Sequence, residues 1–172
     1  SDVNETLSAE DSQTLSQSPK TFTQLGTGIN ESQTISESPK TFTQLGTGIN
    51  ESQNTFEVEY DYTFDNQSDE GPVVIDKSNF TINGNNHVLD GNKQSGIFNI
   101  IGNNVTINNL VFINGNSTQG GAIYAAGQIF LNNVTFISNN ASRGGAIAGY
   151  NMTLNCSNSR FIDNYADERG QS

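Results

Sequence analysis

Apolar and polar residues alternate in short runs along the second half of the chain. The run 105–112 (VTINNLVF) aligns with the run 129–136 (IFLNNVTF), so that apolar positions fall on apolar positions and paired asparagines on paired asparagines. A period of two sends one set of side chains to each face of a strand. Each run lasts only three to five residues before Asn or Gly interrupts it. The pattern therefore predicts short strands, each with one buried face.

These runs belong to a repeat with a fixed length. The segments 96–102 (GIFNIIG), 121–127 (GAIYAAG) and 145–151 (GAIAGYN) begin 25 and then 24 residues apart. A third copy of the alternating run begins at 152 (MTLNC) and leads to Phe161, and a fainter one lies at 80–89 (FTINGNNHVL). A period in the twenties is the signature of a solenoid. We expect a right-handed parallel β-helix, with about three strands and their turns in each coil of about 24 residues and coils stacked ~4.8 Å apart.

Stacking places like residues over like. Phe112, Phe136 and Phe161 are expected to form an aromatic column inside the coils. Amide ladders along the axis are expected for two asparagine pairs, Asn108 with Asn132 and Asn109 with Asn133. The glycine pairs at 120–121 and 144–145 suit a bend that needs positive φ or close backbone approach.

The first part of the chain carries a different repeat. Residues 12–31 and 32–51 differ only at Leu15/Ile35 and Gln17/Glu37, which indicates a recent duplication in a tolerant linker. In the second copy, Phe42, Leu45 and Ile49 fall on one helical face, with Thr41 or Thr43 as the cap. We expect this helix to cover the open end of the solenoid, and the first copy to be disordered or weakly helical.

These patterns predict three regions. Residues 1–39 form an acidic low-complexity linker, 40–55 a capping segment, and 56–172 the β-helix. Because Arg169 and Gly170 resemble the start of another glycine turn, the β-helix is expected to be truncated at its carboxyl end.

Charge and composition narrow the function. The net charge is −11, and the first 70 residues hold 13 of the 18 acids with only Lys20 and Lys40 as bases. No basic patch is present to neutralise phosphates, which argues against a nucleic-acid partner. No apolar run approaches the ~18–20 residues of a membrane span. The single cysteine, Cys156, excludes an intrachain disulfide and is expected to be a buried structural thiol.

Parallel β-helices also include polysaccharide lyases and glycosidases, which is the alternative function. Such enzymes need carboxylates ~5–10 Å apart, or acidic calcium ligands beside a base. The acids of the repeats are out of register, because Asp163 aligns with Ser138 and Asn114, and neither Asp76 nor Asp90 recurs in the next coil. We therefore predict no catalytic residue.

No cofactor or metal site is predicted either. His87, the only histidine, lacks a partner at metal-ligand spacing and is expected in a turn or at a strand edge. The acids Asp61, Asp65, Asp69 and Glu70 lack the spacing of a calcium-binding loop.

Asn-x-Ser/Thr sequons are abundant, so an exported form of the protein is a candidate glycoprotein. They begin at Asn4, Asn30, Asn50, Asn66, Asn79, Asn104, Asn116, Asn133, Asn140, Asn151 and Asn155. Modification of Asn133 is not expected, because it belongs to a predicted ladder.

The repeats resemble two families of surface proteins. GGAI at 120–123 and 144–147, with FISN at 136–139 and FIDN at 161–164, resembles the repeat of polymorphic outer-membrane proteins. Residues 80–100 and 104–116 are similar to adhesin-like surface proteins of methanogenic archaea. The pattern departs at Gly115, where the repeat has Asn. The resemblance covers residues 40–172 and implies a right-handed parallel β-helix on the cell surface or in the cell wall, without catalytic residues. We therefore expect an extracellular, adhesin-like scaffold that binds glycans or surface proteins of other cells.

Overall fold

Two copies of one pentapeptide adopt different structures near the start of the chain. The computed structural model describes residues 20–24, 31–35 and 40–167, and the chain divides into two compact units after Pro39. In the first unit, strand β1 (Lys20–Gln24, KTFTQ) pairs antiparallel with strand β2 (Glu31–Ile35). The expectation of a disordered or weakly helical first copy is therefore wrong for residues 20–24, where threonine and phenylalanine favour an extended backbone. The remainder of that copy before β2 lies outside the described residues.

In the second copy, the same KTFTQ sequence leads into helix α1 (Phe42–Glu51). Thr41 caps the helix by a capping box, because its hydroxyl accepts from the Gln44 backbone N–H and its own N–H donates to the Gln44 side chain. Phe42, Leu45 and Ile49 are buried, and the helix contacts strands of the first coil. A ten-residue helix is marginal alone and depends on such packing. The predicted capping helix is confirmed.

The second unit is a parallel β-helix of about four turns of about 25 residues, as the repeat predicts. Its strands form three sheets. Sheet 1 consists of β4 (Tyr62–Thr63), β7 (Val88–Asp90), β10 (Val111–Ile113), β13 (Thr135–Ile137) and β16 (Arg160–Ile162). Sheet 2 consists of β11 (Asn116–Gln119), β14 (Asn140–Arg143) and β17 (Tyr165–Ala166). Sheet 3 consists of β3 (Thr55–Glu57), β5 (Val73–Ile75), β6 (Phe80–Asn83), β8 (Phe98–Ile100), β9 (Val105–Asn108), β12 (Ile123–Asn132) and β15 (Ile147–Ser157).

Sheet 3 changes along the axis. In the first coils it is built from two short strands per coil, whereas β12 and β15 are single long strands. The amino-terminal part of β12 pairs with β8 and its carboxyl-terminal part with β9. Gly127, with φ of 77°, lies between the two parts. Sheet 3 therefore has an amino-terminal half (β5, β8 and the first parts of β12 and β15) and a carboxyl-terminal half.

The inward side chains form a continuous core. Phe112 and Phe136 stack at 5.0 Å with 9° between their planes, and Phe136 stacks on Phe161 at 4.9 Å and 7°. Phe98 meets Phe112 edge-on at 5.3 Å. The predicted aromatic column is confirmed, and offset stacking adds to the free energy of burial.

The last described coil has an uncovered inward face. Phe161 is 50% exposed although its ring lies on Phe136. Cys156 is in register with the buried Leu131 but is itself exposed. The prediction of a buried thiol is therefore wrong. Its inward position was correctly inferred, but no described residue stacks over this coil.

The glycine pairs form tight corners. Gly120 and Gly144 have φ of 65° and 63°. A Cβ on Gly121 would lie 2.1 Å from the carbonyl oxygen of Gly145. Both parts of the prediction, positive φ and close backbone approach, are confirmed.

Candidate functional site

Most of the repeated asparagines are used to hold one coil to the next. Asn108 Nδ2 donates to Asn83 Oδ1 at 3.0 Å, and Asn132 Nδ2 donates to Asn108 Oδ1 at 2.9 Å. The ladder continues to Glu57 at one end and Ser157 at the other. The predicted pairing of Asn108 with Asn132 is confirmed, and the ladder that contains it joins five residues.

Further asparagines have the same role. Asn133 Nδ2 donates to Asn109 Oδ1 at 2.8 Å, as predicted, and both residues have φ near 55°. Asn139 is fully buried, and its amide donates to the Phe112 carbonyl and accepts from the Gly115 N–H. These side chains each make at least one hydrogen bond that holds the coils together.

A depression on the outside of the solenoid is lined differently. It has a volume of about 390 Å³ and lies where the amino-terminal half of sheet 3 meets sheet 2. We call it the Tyr124 groove. Its lining residues are Pro72, Gly96, Phe98, Asn99, Ser117, Thr118, Gln119, Gly120 and Tyr124. The volume lies within the range of small-molecule sites, roughly 300–1,000 Å³.

Ser117 is paired within the Tyr124 groove, because its hydroxyl donates to the Gln119 carbonyl at 3.2 Å, but three other polar side chains are not. Those of Asn99, Thr118 and Gln119 make no hydrogen bond with any described residue. Asn99 lies between Val74 and Tyr124 in its column, and neither neighbour can extend an amide ladder. Buried or half-buried amides are normally satisfied within the protein. Asn99, half-buried beside the half-exposed ring of Tyr124, departs from this rule, whereas Thr118 and Gln119 are exposed to solvent.

The outward face beside the groove is apolar. Val74 of β5 is 48% exposed, Ile101, which follows β8, is 59% exposed, and Tyr150 of β15 is 68% exposed. The other large exposed apolar side chains of the described residues, Leu154, Phe161 and Tyr165, lie with Tyr150 in the last described coil. Val74 and Tyr150 are three strands apart, and Asn99 and Tyr124 lie on the two strands between them.

A second depression, of about 380 Å³, adjoins the first and shares Pro72 with it. Asp69 and Glu70 border it. The Asp69 carboxylate is buried and accepts from the backbone N–H groups of Phe42 and Thr43 at 3.0 and 2.7 Å. It also accepts from the Thr43 hydroxyl at 2.7 Å and the Asp65 N–H at 2.8 Å.

These contacts give Asp69 a structural role. Burial by itself raises the pKa of the Asp69 carboxyl, but the four hydrogen bonds outweigh it, so the pKa lies below its ordinary value of 3.8. The carboxylate also complements the positive amino-terminal end of α1. Asp69 therefore fastens the capping helix to the solenoid.

The other residues considered from the sequence lie apart from the groove. His87 contacts Asp61 at 3.0 Å. Asp90 accepts from the Asn92 N–H and the Asn114 amide, which fixes a turn. In residues 40–167, no three His, Cys, Asp or Glu side chains are grouped so that they could hold a metal ion.

The turn alignment inferred from the sequence is confirmed. Asp163, Ser138 and Asn114 all have φ between 53° and 56°. Asp163 therefore occupies a left-handed turn position that its counterparts in the neighbouring coils also occupy.

The sequons fall into two groups in the described coils. The amide nitrogens of Asn104, Asn116 and Asn133 donate within the fold. Asn79 belongs to the same group, because its Oδ1 accepts from Asn104. Asn66, Asn140, Asn151 and Asn155 are exposed, and their side chains bond to no other described residue. The second group is the one compatible with modification.

Sequence reasoning did not identify the groove residues. One sequence feature could have identified them, namely a position of the repeat at which the residue type is not kept. This column contains Val74, Asn99, Tyr124 and Ala148, and its residue type changes in every coil. The ladder columns, in contrast, keep asparagine through two or three successive coils. Comparison with protein-family models, curated proteins and solved structures finds no match. No helix in the described part of the chain is long and apolar enough to cross a membrane.

Proposed function

We propose that the protein is a non-catalytic scaffold that binds glycans in the Tyr124 groove. The observation that carries the proposal is the set of free amides and hydroxyls beside an aromatic ring in a solenoid whose repeated asparagines are otherwise engaged. Sugars present hydroxyls that pair with amides and C–H faces that pack on aromatic rings. Most ligand sites combine an apolar surface with a few such polar groups.

The groove favours binding over catalysis. None of its nine lining residues is acidic or basic. Hydrolysis of a glycosidic bond requires a general acid and a second carboxylate, and a lyase requires a base. A carbohydrate-active enzyme remains the second candidate, because the fold is shared with such enzymes.

The setting we propose is the cell surface or cell wall. The GGAI, FISN and FIDN repeats resemble those of adhesin-like and polymorphic outer-membrane proteins. An adhesin-like protein would present the groove to glycans of other cells or to their surface proteins. This part of the proposal rests on the resemblance and on analogy between folds.

A glycan array screened with the full chain tests the binding. We expect binding that Tyr124→Ala weakens about tenfold and Asn99→Ala about threefold to tenfold, because each removes one contact of about 1 kcal/mol. Tyr165→Ala, which removes an exposed tyrosine from sheet 2, is the matched control and should bind normally. Thermal unfolding of each variant checks that the fold is intact.

A reducing-sugar assay on the same glycans separates the two candidates. Binding without release of sugar supports the scaffold. Release of sugar by the wild-type chain would show catalysis and would contradict the proposal of a non-catalytic scaffold. Binding that Tyr124→Ala leaves unchanged would place the site elsewhere.

A further inference from the structure

We propose that Tyr150 is a second aromatic platform, and that the ligand is a neutral oligosaccharide of at least two sugar units that crosses from Tyr124 to Tyr150. This inference rests on the proposed function and adds the length and charge class of the ligand. Tyr150 is the most exposed large apolar side chain of the described residues, at 68%. It does not line the groove itself.

Register places the two tyrosines on one face. Tyr124 is opposite Ala148, and Ala126 is opposite Tyr150. The tyrosines are thus one strand and two residues apart, so their side chains leave the same side of sheet 3. Strand spacing of ~4.8 Å and a rise of ~3.3 Å per residue put their Cα atoms about 8 Å apart. One sugar ring cannot cover both side chains, whereas neighbouring rings of a chain can.

Only small side chains lie between the two tyrosine rings. The positions that complete this square of the sheet are Ala126 and Ala148, and neither side chain extends beyond Cβ. A β-bulge follows Tyr150 directly, where Asn151 has φ of 52° and the register with β12 shifts by one residue. Bulges redirect neighbouring side chains and are frequent beside functional sites.

The charges around the site favour a neutral ligand. No lysine or arginine lines the groove. Arg143, the register partner of Gln119, has an interaction of its own. On the other side, the adjoining depression is bordered by Glu70 and by Asp69, whose depressed pKa keeps it ionised at neutral pH. A uronic acid would gain no counter-ion here and would meet carboxylates.

The test is titration calorimetry of the full chain with defined sugars. The probes are gluco-, manno- and N-acetylglucosamine β-linked series from one to four units, with tetragalacturonate as the acidic counterpart. For at least one neutral series we expect the tetramer to bind about tenfold more tightly than the monomer, or ~1.4 kcal/mol. Tyr150→Ala should abolish this gain, and Tyr150→Phe should retain it.

The outcomes separate the two proposals. Affinity that is independent of length, a tetramer unaffected by Tyr150→Ala, or tighter binding of tetragalacturonate overturns the inference while Tyr124-dependent binding still supports the groove. No sugar binding at all, in the series or on the array, overturns both. If the molecular mass rises with protein concentration and Tyr150→Ala prevents this rise, a second copy of the chain covers the patch and the inference is wrong.

Discussion

An asparagine in this solenoid has one of two roles, and the residue one coil away decides which. Asn108 has Asn83 below it and Asn132 above it, so its amide both donates and accepts along the axis. Asn99 has Val74 below it and Tyr124 above it, so its amide remains free. The same side chain therefore stabilises the fold at one position and is available to a ligand at the other.

This difference predicts opposite effects for one substitution at two sites. Asn108→Ala removes two ladder hydrogen bonds, so we expect the free energy of unfolding to fall by ~1–2 kcal/mol. Asn99→Ala removes none and should change stability by less than ~0.5 kcal/mol while weakening glycan binding. Urea unfolding of both variants measures the stability. Equal losses would mean that Asn99 has a structural partner.

At the scale of elements, the KTFTQ segment shows that local sequence alone does not determine whether a segment becomes a strand or a helix. It forms strand β1 in the first copy and leads into helix α1 in the second. The helix depends on Leu45 and Ile49 finding an apolar surface, and on the Asp69 carboxylate accepting hydrogen bonds at its amino terminus. The helical face could be predicted from spacing, but Asp69 lies 27 residues beyond Phe42 and carries no sequence signal for this role.

Asp69 makes the attachment of α1 sensitive to acid. Its pKa is lower in the folded chain than in the unfolded chain, so its contribution is fully present well above pH 3.8 and is lost as the pH falls through that value towards the folded pKa. We expect Asp69→Asn to lose ~2 kcal/mol at pH 7, since it replaces hydrogen bonds to a charged group.

Melting temperatures from pH 7 to pH 3 check this prediction. The gap between wild type and Asp69→Asn should be wide at pH 7 and should begin to narrow as the pH falls below about 3.8, whatever the other carboxyls contribute to both chains. A gap of constant width from pH 7 to pH 3 would mean that the ionised form of Asp69 is not what holds the helix.

At the scale of the whole molecule, repetition explains both the successes and the failures of sequence reasoning. Strand register, the phenylalanine column and the ladders were predictable, because equivalent positions recur in the sequence of every coil. The groove was not, because it joins Asn99 and Tyr124 of sheet 3 to residues 117–119 of sheet 2, which are brought together only by the cross-section of the coil. The exposure of Cys156 was missed for a related reason. The repeat predicts that its side chain points inward, but it does not predict whether another coil covers that side chain.

The stability that each phenylalanine of the column contributes should also depend on how fully the neighbouring coils cover its ring. Phe136 is fully buried between Phe112 and Phe161, whereas Phe161 has one stacked neighbour and is 50% exposed. Phe136→Ala should lower the free energy of unfolding by ~3–5 kcal/mol through lost burial and a cavity. Phe161→Ala removes half the buried area and opens a site that solvent already reaches, so we expect ~1–2 kcal/mol.

Urea unfolding of the two variants at several protein concentrations measures this difference in the free energy of unfolding. A large difference that does not depend on concentration would mean that the last described coil is open to solvent. Equal losses would require something to cover Phe161 in solution. If the loss at Phe161 then grew with protein concentration, the cover would be another copy of the chain, because only an intermolecular contact gains stability from mass action.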